Sequence, residues 1–366
     1  MDKDLPRILF ITVNGWNNTT GTSTISSIIE GYPPEKIANI FIRTNEPNSL
    51  CCKHYYRISE QAVLQSVFFR NKTTGYMINQ ITDEESNSFQ TERVKQNNLK
   101  KYKNCLTPYF RDMIWALGNW YSDDLKNFVK SFKPQIIVMP AEGWIHFNKI
   151  GLAIKKDFQV PLGLYFWDDN FTYKSITSIF NQPYRFFLRK NIIRLVQEAE
   201  FGFSISPKMQ KECMEQLNFK TTLLTKPMLV HSGENSRVTT GVVHILYTGS
   251  VYIGRENSLL KLINCISQLR CIGIKYKLDI YTNSNIDRKL FAKLNVQDIS
   301  EVHPAVTKEE VLELQKKADV EMSIKVQSKF TPNFWGVRNF FCKLSFCGKI
   351  YIFQGRAFVL PSYNIS

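Results

Sequence analysis

Short apolar runs alternate with longer mixed segments along most of this chain, which predicts strands separated by helices. Strands are predicted in the first part at 7–13, 37–42, 55–58, 135–139, 162–167, 201–205 and 221–224. Helices are predicted at 25–30, 109–132, 149–157, 184–199 and 207–217. Pro134 and Pro161 stand just before two of the strands, where proline ends the preceding helix. Strands that alternate with helices favour a parallel α/β sheet.

The alternation stops at 226–241, where the composition is that of a turn-rich linker, and then begins again. Strands follow at 242–248, 276–281, 300–303 and 320–324, with helices at 258–272, 287–294 and 308–317. We therefore expect an α/β protein with two Rossmann-like domains, the second incomplete. The expected boundaries are a first domain at 1–228, a linker at 229–241, a partial second domain at 242–324 and an atypical tail at 325–366.

Two segments depart from this alternation. The polar, lysine-rich stretch 69–106 is expected to be a helix–loop insertion. The tail has no period and no acidic residue after Glu321, and it is rich in Phe, Lys, Asn and Ile. Such a composition is typical of an A/T-rich gene translated out of frame, so we expect a frameshifted or truncated end. The alternative is a divergent tail that packs on the first domain or on a membrane.

Composition narrows the classes of protein. The 366 residues suffice for two domains with cores that need no disulfides. Eight scattered cysteines without CxxC or Cys/His spacing predict reduced thiols and a cytoplasmic setting. No apolar run approaches the roughly 20 residues that span a bilayer. The net charge of +15 suits anionic ligands, but helix-turn-helix, zinc-finger and RNP patterns are absent, so nucleic acid is not an expected partner.

Two stretches carry a strand, a glycine-bearing turn and a helix start. The first turn contains Gly15, Asn17 and Gly21, and the second runs from Gly249 and Ser250 to Arg255, as the sequence shows. Backbone N–H groups and the helix dipole favour anions at such a turn, so these are candidate donor-binding residues. Two such units suggest two nucleotide-fold halves facing a cleft. The alternatives are a plain turn whose Ser or Thr caps the next helix, and a solvated arginine at a helix start.

Three acidic residues follow predicted strands and are the candidate catalytic groups. Asp168 and Asp169 follow the strand 162–167, and Glu142 follows the strand 135–139. Ligands bind at the carboxyl edge of open α/β sheets, where such carboxylates can orient a hydroxyl or act as a base. The alternative is that Asp168 caps the next helix. The histidines at 54, 231, 244 and 303 have no sequence neighbours that complete a metal site, and no metal is expected.

The segment 184–196 predicts a basic amphipathic helix, with Arg185, Arg189, Lys190 and Arg194. Such a helix can dock on anionic lipid headgroups. The alternative is a core helix with a solvated outer face.

The order of these segments resembles the GT-B fold glycosyltransferases of family four, in the bacterial branch of surface-polysaccharide synthesis. The likeness covers about 7–320 and rests on Asn14-Gly15-Trp16-Asn17, Trp167-Asp168-Asp169, Ile205-Ser206-Pro207-Lys208-Met209, the stretch 245–259 and the strand that begins with Ala318-Asp319-Val320. At the position of Arg255 the family usually has a lysine that binds the donor diphosphate, and an arginine often follows the glycine, where this chain has Ser250.

The resemblance implies a hexosyltransferase that moves a sugar from a nucleotide-diphospho-sugar to a glycan or lipid-linked acceptor, without a cofactor. It implies a cytoplasmic protein with a peripheral contact at the inner face of the membrane. The family's pair of glutamates in the donor domain has no match, because this chain has no acid after Glu321. The competing hypothesis is therefore a degenerate, non-catalytic protein that binds a nucleotide sugar or a glycan.

Overall fold

Among the residues that the structure describes, eight strands form the sheet of the first unit. They are β1 (Ile8–Thr12), β2 (Ile37–Phe41), β3 (His54–Ile58), β4 (Gly75–Ile78), β5 (Ile136–Pro140), β6 (Leu162–Phe166), β7 (Phe201–Ser204) and β8 (Thr222–Leu223). Their order is β4-β3-β2-β1-β5-β6-β7-β8, and all neighbours are parallel except β3 and β4. The direction of strand addition reverses between β1 and β5, which is the topological switch point where open α/β sheets bind ligands.

Helices on both faces of this sheet bury its central strands. They are α1 (Thr24–Ile28), α2 (Glu60–Phe68), α3 (Thr107–Leu117), α4 (Asp123–Phe132), α5 (Ile145–Phe158), α6 (Gln182–Gln197) and α7 (Pro207–Leu217), with a 3-10 turn at Pro34–Lys36. All residues of β2 and β6 are buried, which explains their nearly continuous apolar sequences.

The computed structural model describes residues 5–16, 24–43, 47–78, 106–173, 181–225, 241–252, 254–271, 275–325, 341–346 and 349–354. The chain divides into two compact units, whose main boundary lies between Leu229 and Val230.

The helix predicted at 109–132 is wrong in one respect, because it is two helices. A break follows α3 at Gly118, and α4 begins after Ser122, whose side chain accepts a hydrogen bond from the Leu125 N–H. Asp123 and Asp124 occupy the first turn of α4, where the helix dipole favours negative charge. Apolar periodicity continues across the break, so Gly118 and the capping residue Ser122 indicate the two helices better than the apolar spacing does.

The expected helix–loop insertion at 69–106 is wrong in its first part. β4 pairs antiparallel with β3 there, and residues 79–105 lie outside the described part of the chain. Helix α2 was not among the predicted elements. Ser59 caps it by accepting from the Ala62 N–H.

The second sheet has the order β11-β10-β9-β12-β13-β14. Its elements are β9 (Val242–Thr248), α8 (Arg255–Cys271), β10 (Lys275–Thr282), α9 (Arg288–Leu294), β11 (Ser300–Pro304), α10 (Lys308–Lys317), β12 (Val320–Lys325), β13 (Phe341–Phe346) and β14 (Lys349–Gln354). β9 to β12 are mutually parallel, whereas β13 and β14 add antiparallel at one edge, in a tail for which the sequence predicted no element.

The predicted α/β class with two Rossmann-like sheets is confirmed. Within the described residues, no helix combines the length and the apolar character needed to cross a bilayer. Cys51, Cys52, Cys213 and Cys265 are free thiols.

Candidate functional site

The loop after β5 lies beside the switch point of the first sheet, and hydrogen bonds fix its backbone. Asn148, fully buried in α5, accepts from the Glu142 N–H and donates to the Glu142 carbonyl, both at 3.1 Å. The same amide donates to Asn191 Oδ1 at 2.9 Å. From the loop after β6, Asn170 donates to the Ala141 carbonyl at 3.0 Å. The position of Glu142 is therefore set before any ligand arrives.

The carboxyl group of Glu142 has an unusual protonation equilibrium. Burial and the nearby charge of Asp168 raise its pKa from 4.5 to about 7. The Gly143 N–H, the charge of Arg43 and a hydrogen bond from Trp167 oppose this rise without cancelling it. A carboxyl group with a pKa near neutrality can take up and release a proton under physiological conditions, as a general base must.

Asp168 and Asp169 are adjacent, but their surroundings differ. The Asp168 side chain reaches solvent, but the surrounding protein partly desolvates it, and this desolvation and the charge of Asp169 raise its pKa. The Asp169 carboxylate accepts from the Thr172 N–H at 2.9 Å and from the Thr172 hydroxyl. Among the described residues, the bonds from Thr172 that cap the turn after β6 are thus accepted by Asp169 rather than by Asp168. Asp168 keeps an accessible carboxylate beside Glu142.

Two arginines that the sequence did not single out lie against the ring of Trp144. The Arg111 guanidinium carbon is 3.2 Å from the ring centroid, and that of Arg43 is 5.3 Å away. Arg111 also donates to Glu60 Oε1 at 2.6 Å. Burial and the like charge of Arg111 lower the pKa of Arg43. These residues come from distant parts of the chain, and no local spacing could have grouped them.

His146 lies two residues after Trp144 and is buried at the start of α5. Its Nδ1 is 2.7 Å from Asp112 Oδ1, and the Tyr184 hydroxyl donates to Asp112 Oδ2 at 2.8 Å. The imidazole is therefore held in one orientation, with Nε2 lying 3.4 Å from Lys149 Nζ. This bond pattern fixes the packing of α3, α5 and α6 around the site.

The predicted basic helix 184–196 lies within α6, and two of its four cations hold loops. Arg189 donates to the Phe171 carbonyl at 2.6 Å and to the Gln216 carbonyl at 3.1 Å. Arg185 donates to the Asp169 carbonyl at 3.3 Å. Lys190 and Arg194 are exposed, together with Phe186 and Phe187 on the same helix.

In the second unit, the turn after β9 is tightly organised. The Gly249 N–H donates to a carbonyl of β10 at 3.0 Å, and the Tyr247 hydroxyl donates to the Ser250 carbonyl at 2.6 Å. A β-carbon on Gly249 would lie 3.1 Å from the Tyr247 hydroxyl oxygen, so the site favours glycine. Ser284 accepts from the Val251 N–H at 3.2 Å. The N–H groups of Gly249 and Val251, which were expected to be available to an anion, are therefore already bonded to β10 and to the segment after it.

Further groups suited to an anion lie at the start of α8. Gly254 has φ +83°, a conformation that favours glycine, and the helix begins at Arg255. The first-turn N–H groups of a helix have no partner within the helix, and the dipole adds positive charge there. Arg255 is half-buried, and its charge partly offsets the burial that raises the pKa of Tyr247. Glu256 follows, with a buried Oε2 that has no hydrogen-bond partner among the described residues.

The predicted N-terminal loop is only partly described. Gly15 is buried, and the neighbouring Trp16 packs edge-on against Phe10 with ring centroids 5.1 Å apart. Trp16 is therefore a core anchor that fixes the chain as it leaves β1. Asn17 and Gly21 lie outside the described residues.

No family model matches this chain, and no curated protein matches its sequence. Similar solved structures include a UDP-GlcNAc 2-epimerase from Neisseria meningitidis bound to UDP-GlcNAc. It is 11% identical in sequence and has a TM-score of 0.44, and the alignment covers 86% of this chain and 76% of that chain. MnaA of S. aureus in complex with UDP is 12% identical and has a TM-score of 0.41, and the alignment covers 87% of this chain and 74% of that chain. An α,α-trehalose 6-phosphate synthase from Burkholderia multivorans is 8% identical and has a TM-score of 0.47, and the alignment covers 87% of this chain and 77% of that chain. At such scores the likeness assigns no role to any residue.

Proposed function

We propose that this chain is a GT-B type glycosyltransferase of the hexosyltransferase kind. It transfers a sugar from a nucleotide-diphospho-sugar to a glycan or lipid-linked acceptor in surface-polysaccharide synthesis. The observation that carries the proposal is Glu142, a carboxyl group with a pKa of about 7 on a loop locked beside the switch point of a parallel sheet. A second Rossmann-like sheet with a glycine turn and Arg255 supports the nucleotide part of the proposal.

In the proposed reaction, the acceptor oxygen bonds to the anomeric carbon of the sugar while its proton passes to the Glu142 carboxylate. The bond between the anomeric carbon and the diphosphate breaks, and the nucleoside diphosphate leaves as an anion. Asp168 orients the acceptor hydroxyl, and Asp169 positions Asp168 by capping the turn at Thr172.

Charge stabilisation on the donor side falls to the start of α8. The first-turn N–H groups, with Gly249 and Ser250 shaping the turn, bind the phosphates, and the Arg255 guanidinium can contact two phosphate oxygens at once. Stabilising the departing diphosphate is the electrostatic part of catalysis in this scheme. Gly15, Asn17 and Gly21 complete the proposed set of ligand-contacting residues.

We also propose that the protein works in the cytoplasm, at the inner face of the membrane. Four apolar side chains at helical spacing are exposed at the start and along one face of α3, namely Leu106, Phe110, Met113 and Leu117. In the same unit, α6 exposes Phe186 and Phe187, and Lys190 Nζ lies 4.5 Å above the Phe186 ring. Aromatic, aliphatic and basic side chains together suit an anionic lipid interface.

Calorimetry with a panel of UDP- and GDP-sugars, followed by a hydrolysis assay, tests the function. We expect one donor to bind, and Arg255→Gln to weaken it by about tenfold or more, because a charged hydrogen bond contributes roughly 1.5–3 kcal/mol. Arg288→Gln is the matched control, since Arg288 is an exposed arginine at the start of α9. Binding without turnover would support the degenerate binding protein, and no binding to any donor would contradict both hypotheses.

A further inference from the structure

One face of the second sheet carries ionisable side chains from three neighbouring strands. Side chains alternate along a strand, so Lys277 and Asp279 of β10 share a face, whereas Leu278 and Ile280 point into the core. None of these ionisable residues belongs to the turn that begins at Gly249, although Tyr281 of β10 accepts from the Gly249 N–H.

The strand register brings two histidines and a second carboxylate to the same face. Lys277 lies opposite His244 of β9, and Asp279 lies opposite Glu301 of β11. His303 is two residues beyond Glu301, so it projects from the same side of β11. Asp279 therefore lies in the middle of the group, with partners on both flanking strands.

The distances within this group are those of metal ligands. His303 Nε2 is 3.3 Å from Asp279 Oδ1, and His244 Nδ1 is 3.7 Å from Asp279 Oδ2. One ligand atom from each of Asp279, Glu301 and His303 lies within 4.8 Å of the other two. The His303 ring stacks on Tyr281 with centroids 4.5 Å apart and an interplanar angle of 17°, which holds the imidazole in place.

We propose that this group binds one divalent transition-metal ion of the Zn²⁺ class through Asp279, Glu301 and His303, as in zinc sites with three protein ligands. Tetrahedral zinc with bonds of 2.0–2.1 Å places its ligand atoms about 3.3 Å apart, as His303 and Asp279 already are. Imidazole nitrogens mixed with carboxylate oxygens select zinc or cobalt over calcium and magnesium, which prefer all-oxygen sites. The site is independent of the proposed glycosyl transfer.

The ammonium group of Lys277 competes with a metal ion for the carboxylates of Asp279 and Glu301. Its Nζ is 2.8 Å from Glu301 Oε2 and 3.8 Å from Asp279 Oδ1, so the ammonium group neutralises the carboxylates without a metal. A bound ion has to displace this ammonium, which is half-exposed and has a long, flexible stem. Removing the ammonium group should therefore tighten metal binding, whereas removing a ligand should weaken it.

Cobalt titration of the full chain tests the site, because tetrahedral Co²⁺ absorbs strongly in the visible range and Zn²⁺ then displaces it. We expect one Co²⁺ per chain, binding at least tenfold weaker in Asp279→Asn and His303→Ala, and binding tighter in Lys277→Met. His54→Ala is the control, since His54 lies in β3 of the first unit.

Three outcomes would overturn the site. These are no binding of Co²⁺ or Zn²⁺, unchanged binding in both ligand variants, and an absorption band of sulfur-bound cobalt, which would place the ion on cysteines. Histidine NMR gives a second readout on the unsubstituted protein. Co²⁺ should shift the resonances of His244 and His303 and leave those of His54 in place, and the reverse pattern would refute the assignment.

Discussion

Replacing Glu142 with glutamine should change the stability of the first unit in a pH-dependent way. The folded protein holds the Glu142 proton up to about pH 7, whereas an unfolded glutamate releases it near pH 4.5. Between these values the folded state binds more protons than the unfolded state, so the wild type loses stability as the pH rises. Glutamine cannot ionise, so the variant avoids this loss. As the pH rises, the variant therefore becomes more stable relative to the wild type.

The size of the effect follows from the shift itself. A rise from 4.5 to about 7 corresponds to roughly 3 kcal/mol of differential interaction, since one pKa unit is worth 1.36 kcal/mol. The difference in free energy of unfolding between Glu142→Gln and the wild type should therefore grow by up to roughly 3 kcal/mol from pH 4.5 to pH 8. Any constant difference below pH 4.5 reports the changed hydrogen bonds from Gly143 and Trp167.

Urea unfolding followed by tryptophan fluorescence measures this difference, because five of the six tryptophans belong to the first unit: Trp16, Trp115, Trp120, Trp144 and Trp167. Glu200→Gln is the matched control. Burial raises the pKa of Glu200, but hydrogen bonds from Lys155 and the Leu162 N–H lower it overall. The difference in free energy of unfolding between Glu200→Gln and the wild type should therefore not change with pH above pH 5. A flat difference for Glu142→Gln between pH 5 and pH 8, or one that falls with pH, would refute the reasoning.

Three further predictions concern the same unit. Asp168→Asn removes a charge that raises the pKa of Glu142, so the midpoint of its titration, followed by NMR of labelled glutamate, should move to lower pH. Asn148→Ala leaves the polar groups of the Glu142 loop unpaired and should cost about 3 kcal/mol in urea unfolding. Phe110→Ser removes an exposed aromatic group from α3 and should reduce co-sedimentation with anionic vesicles several-fold.

Each of these predictions has a control. A Glu142 midpoint unchanged by Asp168→Asn would mean that burial alone sets the pKa. Asn119→Ala, at an exposed position after α3, should cost little, and an equal loss in both asparagine variants would contradict the special role of Asn148. Met214→Ser, at an exposed position of α7, should leave vesicle binding unchanged, and parallel losses in both variants would argue against a defined membrane face.

Much of the fold could be predicted from the sequence because buried parallel strands are apolar along their whole length. The predicted bounds 242–248, 207–217 and 308–317 coincide with β9, α7 and α10. The break between α3 and α4 was missed because apolar spacing continues through it, although Gly118 and Ser122 mark it. β4 was missed because it is short and lies in a polar stretch at the edge of the sheet.

The candidate site was accessible to sequence reasoning only where its residues follow strands. Glu142 and Asp168 could be named because the carboxyl edge of a parallel sheet is a known place for ligands. The difference between their environments could not be predicted from the sequence, since burial and neighbouring charge arise from the packing of the folded chain. Arg43 and Arg111 meet at Trp144 from distant segments, and the group around Asp279 forms only when three strands come into register.

The most direct test of the proposed function is the pH profile of nucleoside diphosphate release from the preferred sugar nucleotide in the presence of acceptor. The account predicts release whose rate rises with pH through a midpoint near 7, and a loss of that rise in Glu142→Gln with donor binding retained. Release that is independent of pH and equal in the wild type and Glu142→Gln would contradict the role given to Glu142.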